Sequence, residues 1–172
     1  MLFRSGRVEA RVLVEIFEAG PVATNGYLIA DREGGTAAVI DAPQGVAAAM
    51  AARAKDWKTP IQFILNTHGH WDHIWDNAEL VRLTGAKLGI HRDSVPLLAI
   101  QQARYFGLSE EMEVSRPDFH LAEGEALTVG DLNFEIFDCP GHCPGSVTDR
   151  KSTRLNSSHL VISYAVFCLK KK

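Results

Sequence analysis

The fold class this 172-residue sequence predicts is α/β, with sheets stacked face to face and helices outside. Three observations carry that expectation. Short β-prone runs dominate the early part of the chain. Helical runs with one apolar face are interspersed with strands later on. Every residue suited to hold a metal falls just after one of those strands. Sheets and one-sided helices bury their apolar faces only by layering, so this order of elements points to stacked layers around one core.

The elements follow in order. Val8 to Phe17 alternates apolar and polar residues (Val12, Val14 and Ile16 against Arg11 and Glu15), which is the period of a strand. Gly20-Pro21 is a turn, and Asn25-Gly26 opens a second strand over Tyr27 to Ala30. Asp31 to Gly35 forms a hairpin-type loop before a third strand, Ala37 to Ile40, which ends at Asp41. Gly45 to Lys55 is Ala-rich with Val46, Met50 and Ala54 on one face, a helix. The run Ile61 to Leu65 is apolar and β-prone, and Phe63 to Leu65 is the next strand. Asn77 to Leu83 is a helix closed by Gly85, and Lys87 to Ile90 a short strand. Asp93-Ser94 caps a helix running through Tyr105. Gly107 to Ala122 lacks a period and reads as an extended loop. Ala126 to Val129 and Leu132 to Phe137 form a hairpin around Gly130-Asp131.

The chemistry lies in Thr67-His68-Gly69-His70-Trp71-Asp72-His73, on a loop leaving the fourth strand. Imidazole and carboxylate are the usual ligands of a catalytic zinc or a related divalent ion. Three histidines and one aspartate at this density, directly after a core strand, are not surface decoration. A second signal is Pro140-Gly141-His142-Cys143-Pro144-Gly145-Ser146. Proline fixes φ and glycine frees it, so this loop can hold one imidazole rigidly on a tight turn. Cys139 and Cys143, four apart, could close a small disulfide; two free thiols in a reducing compartment are the expectation.

The chain resembles the metallo-β-lactamase-fold hydrolases. The resemblance rests on the 67–73 cluster, the Pro-Gly-His-x-Pro-Gly-Ser loop at 140–146, Asp41 in Val39-Ile40-Asp41, and Asn25-Gly26-Tyr27, and it covers roughly residues 10–148 in family order. It implies an αββα sandwich of two similar halves, here truncated to the first half plus the His142 loop. Within the superfamily the chain is most similar to the glyoxalase II-like branch, whose members hydrolyse thioesters. The resemblance implies His68, His70 and His142 as ligands of a first metal, and Asp72 and His73 as ligands of a second. It implies Asp41 as the residue that orients the histidine loop through hydrogen bonds. Asp72 would also take the proton of the attacking water. The implied cofactor is one or two zinc ions, with iron as the alternative, and the implied partner is a small-molecule substrate, a thioester or related ester. Trp75-Asp76 departs from the small residues of many relatives; a bulky Trp75 either narrows the site or simply packs. Alternatives are a mononuclear iron persulfide dioxygenase of the same superfamily, a β-lactam hydrolase, and a non-catalytic fragment that binds zinc weakly or aggregates.

From Asp149 onward the run Asp149-Arg150-Lys151-Ser152-Thr153-Arg154-Leu155-Asn156-Ser157-Ser158-His159 back-translates to the read-through of a common short-read sequencing adapter. Leu160-Val161 stands for index bases, Ile162 to Leu169 for the adapter's remainder, and the final lysines for poly-A. Two segments are therefore expected: 1–148, a partial metallo-β-lactamase-fold domain, and 149–172, a non-native tail. The resemblance ends inside the strand begun by Gly145-Ser146-Val147-Thr148, ahead of the family's bridging aspartate and last histidine. Ile162 to Leu169 is apolar, β-prone and uncharged, and so is expected to pair opportunistically with an exposed sheet edge.

Removing the tail's six basic residues and one acid from totals of 18 and 21 leaves 12 against 20, a net charge of −8 for residues 1–148. A nucleic-acid surface needs a basic footprint, so that class is excluded. No run of eighteen apolar residues and no secretory h-region occur, which gives no membrane partner and a cytoplasmic location as the expectation.

Overall fold

Strands whose two faces are both apolar must be covered on both sides, and that requirement shapes this fold. The structure, a computed structural model, describes residues 12–139, 141–149 and 169–171. Its first sheet has six strands in sequence order: β1 (Leu13–Ala19), β2 (Thr24–Ala30), β3 (Ala37–Ile40), β4 (Ile61–Leu65), β5 (Lys87–His91) and β6 (Phe119–Leu121). β1, β2 and β3 pair antiparallel, and β3 through β6 pair parallel. Parallel neighbours need crossovers. α1 (Ala47–Asp56) makes the first; α2 (Trp71–Ile74) and α3 (Asn77–Thr84) make the second.

Leu28, Val39, Ile64 and Leu88 turn to one face, where they pack with Val46, Met50 and Leu80 from the helical side. Ile29, Ala38, Ile40 and Leu65 turn to the other face. There they meet Leu132, Phe134, Ile136 and Val147 of the second sheet. That sheet consists of β7 (Ala126–Val129), β8 (Leu132–Asp138), β9 (Val147–Asp149) and β10 (Leu169–Lys171). β7 lines one side of β8, while β9 and β10 pair with successive stretches of its other side. The α/β layered architecture is therefore the one expected. Among the described residues no helix is long and apolar enough to cross a membrane.

Asp76 begins α1 from outside that helix: its carboxylate accepts from the Ala47 amide at 2.8 Å. A buried amide at a helix start would otherwise go unpaired. The same Asp76 precedes α3, so one side chain joins the two helices that cover the sheet.

Several local expectations are corrected. The histidine cluster is not wholly loop, because residues 71–74 form a single helical turn. The expected helix from Asp93 to Tyr105 is two 3₁₀ segments, Arg92–Ala99 and Gln102–Phe106, interrupted at Ile100-Gln101. Pro96 lacks the amide that a continuous α-helix would use there. The expected loop 107–122 holds β6, whose three residues are too few to show a period. On β1 the apolar residues Val14 and Ile16 face outward, 51% and 59% exposed. Leu13 and Phe17 instead supply its contacts with the helical core. The start of that expected strand, residues 8–11, lies outside the described residues, as do Pro140 and 150–168 of the tail. From the tail, Leu169–Lys171 pairs with Leu132–Phe134 of β8.

Phe134 has no exposed surface and sits among the residues joining the two sheets. Phe134→Ala is expected to cost about 3–5 kcal/mol in urea unfolding, the usual result of emptying such a site. Val14→Ser, on the open face of β1, should stay within about 0.5 kcal/mol.

Candidate metal centre

The parallel order of β3, β4 and β5 brings their C-terminal ends to one rim. Register pairs Ile40 with Leu65, so Asp41 leaves β3 beside Asn66 and Thr67 as they leave β4. Asp41 is 2% exposed and adopts φ 57°, a left-handed conformation uncommon outside glycine. Its amide donates to the Leu65 carbonyl at 3.0 Å. Its carboxylate accepts from the Thr67 amide and the Thr67 hydroxyl, each at 2.8 Å, and pairs with His73 Nδ1 at 2.7 Å. Gly26 lies under this turn. A Cβ there would come within 2.8 Å of the Asp41 carbonyl oxygen, so only glycine permits the approach.

That network assigns protons. The Thr67 hydroxyl donates its one proton to Asp41, so His68 Nδ1, 2.9 Å from that hydroxyl, must carry an N–H. The lone pair of neutral His68 is then on Nε2. Burial and, after it, the charge of neighbouring His73 push the His68 pKa down from 6.5 to about 4. His68 is thus neutral and ligand-ready at physiological pH.

His68 Nε2 lies 3.0 Å from His70 Nδ1, and His142 Nε2 lies 2.9 Å from the same atom. The ligand atoms of the three histidines are all within 4.8 Å of one another. His70 Nδ1 faces two nitrogens and can donate at most one proton, so hydrogen bonding alone leaves a nitrogen unsatisfied. A cation among them would satisfy all three. Tetrahedral zinc with Zn–N near 2.0–2.1 Å spaces its nitrogens roughly 3.3 Å apart, a few tenths of an ångström more than the two contacts made by His70 Nδ1. The donor set fits zinc or another borderline divalent ion.

Asp72 and His73 stand beside this trio. His73 Nδ1 faces Asp41, which leaves Nε2, 3.4 Å from Asp72 Oδ2. Burial pulls the His73 pKa down, but the charge and hydrogen bond of Asp41 and the charge of Asp72 outweigh it, and the net shift is upward. Burial, followed by the charge of His142, moves His70 downward. A cavity of about 320 Å³ opens onto Asp41, Asp72 and His73, with Val22, Trp71 and Phe106 among its walls.

His142 is exposed, yet its loop is anchored. The Ser94 hydroxyl donates to the carbonyls of Pro144 and Gly145, at 3.2 and 3.1 Å. The Val147 amide donates to the Thr67 carbonyl at 2.8 Å, which ties β9 to the turn that carries His68. On the other side, Gln102 donates to the Gly69 carbonyl at 2.8 Å. The structure thus brings His68, His70 and His142 together and sets Asp72, His73 and Asp41 alongside. Trp75 packs against the small core around Ile74 and Ile90, and it is Trp71 that lines the cavity. Cys139 and Cys143 are both free thiols.

Sequence alone gives no hydrogen-bond partner for the side chains of Thr67, Asn66, Asn77 or Thr24. Asn66 and Asn77 exchange amide hydrogen bonds at 3.2 and 2.8 Å beneath the cluster, and Asn66 also donates to the His73 carbonyl at 3.3 Å. Thr67 could have been found from its place between a strand end and a histidine. Thr24 left no local signal, because its partner Asp72 is 48 positions away.

Residues 19–150 match the family model of the metallo-beta-lactamase superfamily. The chain is 33% identical over 138 residues to a hydroxyacylglutathione hydrolase GloC of Haemophilus influenzae, a match covering 78% of this chain and 64% of that one. It is 30% identical over 136 residues to a hydroxyacylglutathione hydrolase of Erythrobacter litoralis, covering 78% and 47%. Among solved structures, the BLEG-1 B3 metallo-beta-lactamase superposes with a TM-score of 0.70 at 27% identity, over 80% of this chain and 66% of that one. The chain spans 47% to 64% of the length of these two hydrolases.

In the metal-free protein the histidines should titrate apart, measured by NMR of the imidazole nitrogens. His68 is expected to stay neutral down to a midpoint of about 4, whereas His73 titrates above 6.5. The stabilisation from neutral His68 is present above 6.5 and is lost as pH falls toward 4. That from His73 is present below 6.5 and is lost as pH rises through its elevated value. Two coincident midpoints near 6.5 would contradict the proton assignment.

Proposed function

The chain belongs to the metallo-beta-lactamase superfamily, and on that premise we propose that it is the metal-binding part of a zinc-dependent hydrolase acting on a thioester or related ester. The observation that carries this reading is the convergence of three imidazole nitrogens within 4.8 Å, one of them held as a lone-pair donor by the Thr67–Asp41 chain. The similarity to proteins named hydroxyacylglutathione hydrolases supports a small acyl substrate.

In this reading His68, His70 and His142 hold the first ion, and Asp72 and His73 contribute to a second. Zinc in such a set supplies Lewis acidity, which acidifies a water and polarises an acyl carbonyl. The chain's own groups do the rest. Asp72 accepts the proton of the attacking water. Asp41 holds Thr67 and His73, and through Thr67 sets the tautomer of His68, the kind of support on which metal ligands depend. The cavity walled by Trp71 and Phe106 receives the substrate beside Asp72. We further propose that residues 149–172 are translated adapter and take no part in the site.

Elemental analysis and zinc titration test these roles together. Three histidines make one set, and Asp72 with His73 alone is an incomplete one. About one tight zinc per chain is therefore expected. His142→Ala should weaken it at least tenfold. His120→Ala, on the exposed side of β6, and His91→Ala should change it less than twofold. Deleting residues 149–172 should leave it unchanged. Equal losses in the three histidine variants would remove the site, and loss of zinc on deletion would make the tail part of the protein. Iron in place of zinc in the freshly purified protein would contradict the zinc assignment.

A further inference from the structure

The turn between β1 and β2 reaches the metal centre at a residue to which neither the sequence reading nor the proposed function gives a role. Thr24 is the first residue of β2, pairs with Ala19 at the end of β1, and is 8% exposed. Ala23 before it adopts φ 55°, and its amide closes the turn onto the Gly20 carbonyl at 3.2 Å. A non-glycine residue in the left-handed region is costly unless its surroundings impose it. Here the turn ends with the Thr24 hydroxyl 2.7 Å from Asp72 Oδ2, across 48 positions of sequence.

Oδ2 is also the Asp72 oxygen that lies 3.4 Å from His73 Nε2. Among the described residues the Thr24 hydroxyl is the side chain that donates a hydrogen bond to this carboxylate. Among the described residues, only this bond and the contact with His73 fix the two side-chain torsions of Asp72 at the wall of the cavity. A carboxylate that must serve as ligand and proton acceptor works only in a narrow range of orientations. Burial brings the Thr24 hydroxyl a need of its own, because a buried donor without an acceptor is costly. Both needs are met by the one hydrogen bond.

We propose that Thr24 is a positioning residue, whose hydroxyl holds the Asp72 carboxylate in the rotamer that faces His73 Nε2. The inference rests on the proposed metal-binding role of Asp72 for its consequence, but not for its geometry. Valine at position 24 keeps the shape and strand preference of threonine and removes the donor. Serine keeps the donor and removes a methyl group.

The test uses the full chain as Thr24→Val, Thr24→Ser and Asp72→Asn. Crystal structures of the metal-free variants report the rotamer directly. Asp72 should swing away from His73 in Thr24→Val and keep its place in Thr24→Ser. Cobalt(II) titration, read by its absorption bands, reports the consequence. Thr24→Val should lower affinity for the weaker second ion roughly tenfold, the usual effect of losing a hydrogen bond to a metal ligand. Thr24→Ser should stay within about twofold, and the first ion should be unaffected in both. An unmoved Asp72 in Thr24→Val overturns the proposal, and so does a serine variant as impaired as the valine one. If Asp72→Asn leaves the second ion unchanged, the metal-binding role of Asp72 fails, while the rotamers still decide the role of Thr24.

Discussion

The candidate site depends on one buried carboxylate. Asp41 lies where β3 stops, in a backbone conformation costing roughly 1–2 kcal/mol for a residue with a side chain. The cost is offset by three interactions, with the Thr67 amide, the Thr67 hydroxyl and His73. An ionised carboxylate is acceptor-only, so it can receive all three at once and dictate which partner atoms carry protons. From that follow the tautomer of His68, the direction in which His73 presents Nε2, and the hold on the turn joining β4 to the histidines.

The fold makes this economy available. Parallel strands place their C-terminal ends side by side, so residues distant in sequence meet on one rim. Asp41 leaves β3, the 67–73 cluster leaves β4, and His142 arrives from the β8–β9 connection of the opposite sheet. The two sheets share a core of Ile40, Leu65, Phe134 and Val147 just below that rim. The geometry of the three histidines is therefore a consequence of sheet packing as much as of local sequence. The same rim separates histidines by charge. His68 is buried among other imidazoles and kept neutral, whereas His73, equally buried, faces two carboxylates and is pulled toward protonation.

Much of this was legible in sequence, for physical reasons that differ by element. The central strands β3 and β4 bury apolar residues on both faces and end on Asp41 and Asn66-Thr67, so their existence and the ends that face the site could be read. Other segments depart from the sequence expectation. The run from Asp93 to Tyr105 has helical spacing, but it breaks at Ile100-Gln101, where the Gln101 side chain is drawn into hydrogen bonds with the distant Met112 backbone. β6 is too short for alternation to show, and its place is set by pairing with β5. At the site, histidines and aspartates are visible because their chemistry is rare in such density. Thr67 and Thr24 are not, because a threonine acquires meaning only from the atom opposite its hydroxyl. That atom is Asp41 for one and Asp72 for the other, both far away in sequence.

The most direct measurement of the central claim is the zinc affinity of Asp41→Asn. Asparagine tolerates the left-handed backbone, so the strand end should survive. Its amide has a single oxygen and cannot accept from Thr67 twice and from His73 as well. Zinc affinity is expected to fall about 10- to 100-fold, as for other outer hydrogen-bond partners of metal ligands, while thermal unfolding remains cooperative. Unchanged zinc affinity in a folded Asp41→Asn variant would contradict the claim that this carboxylate organises the site.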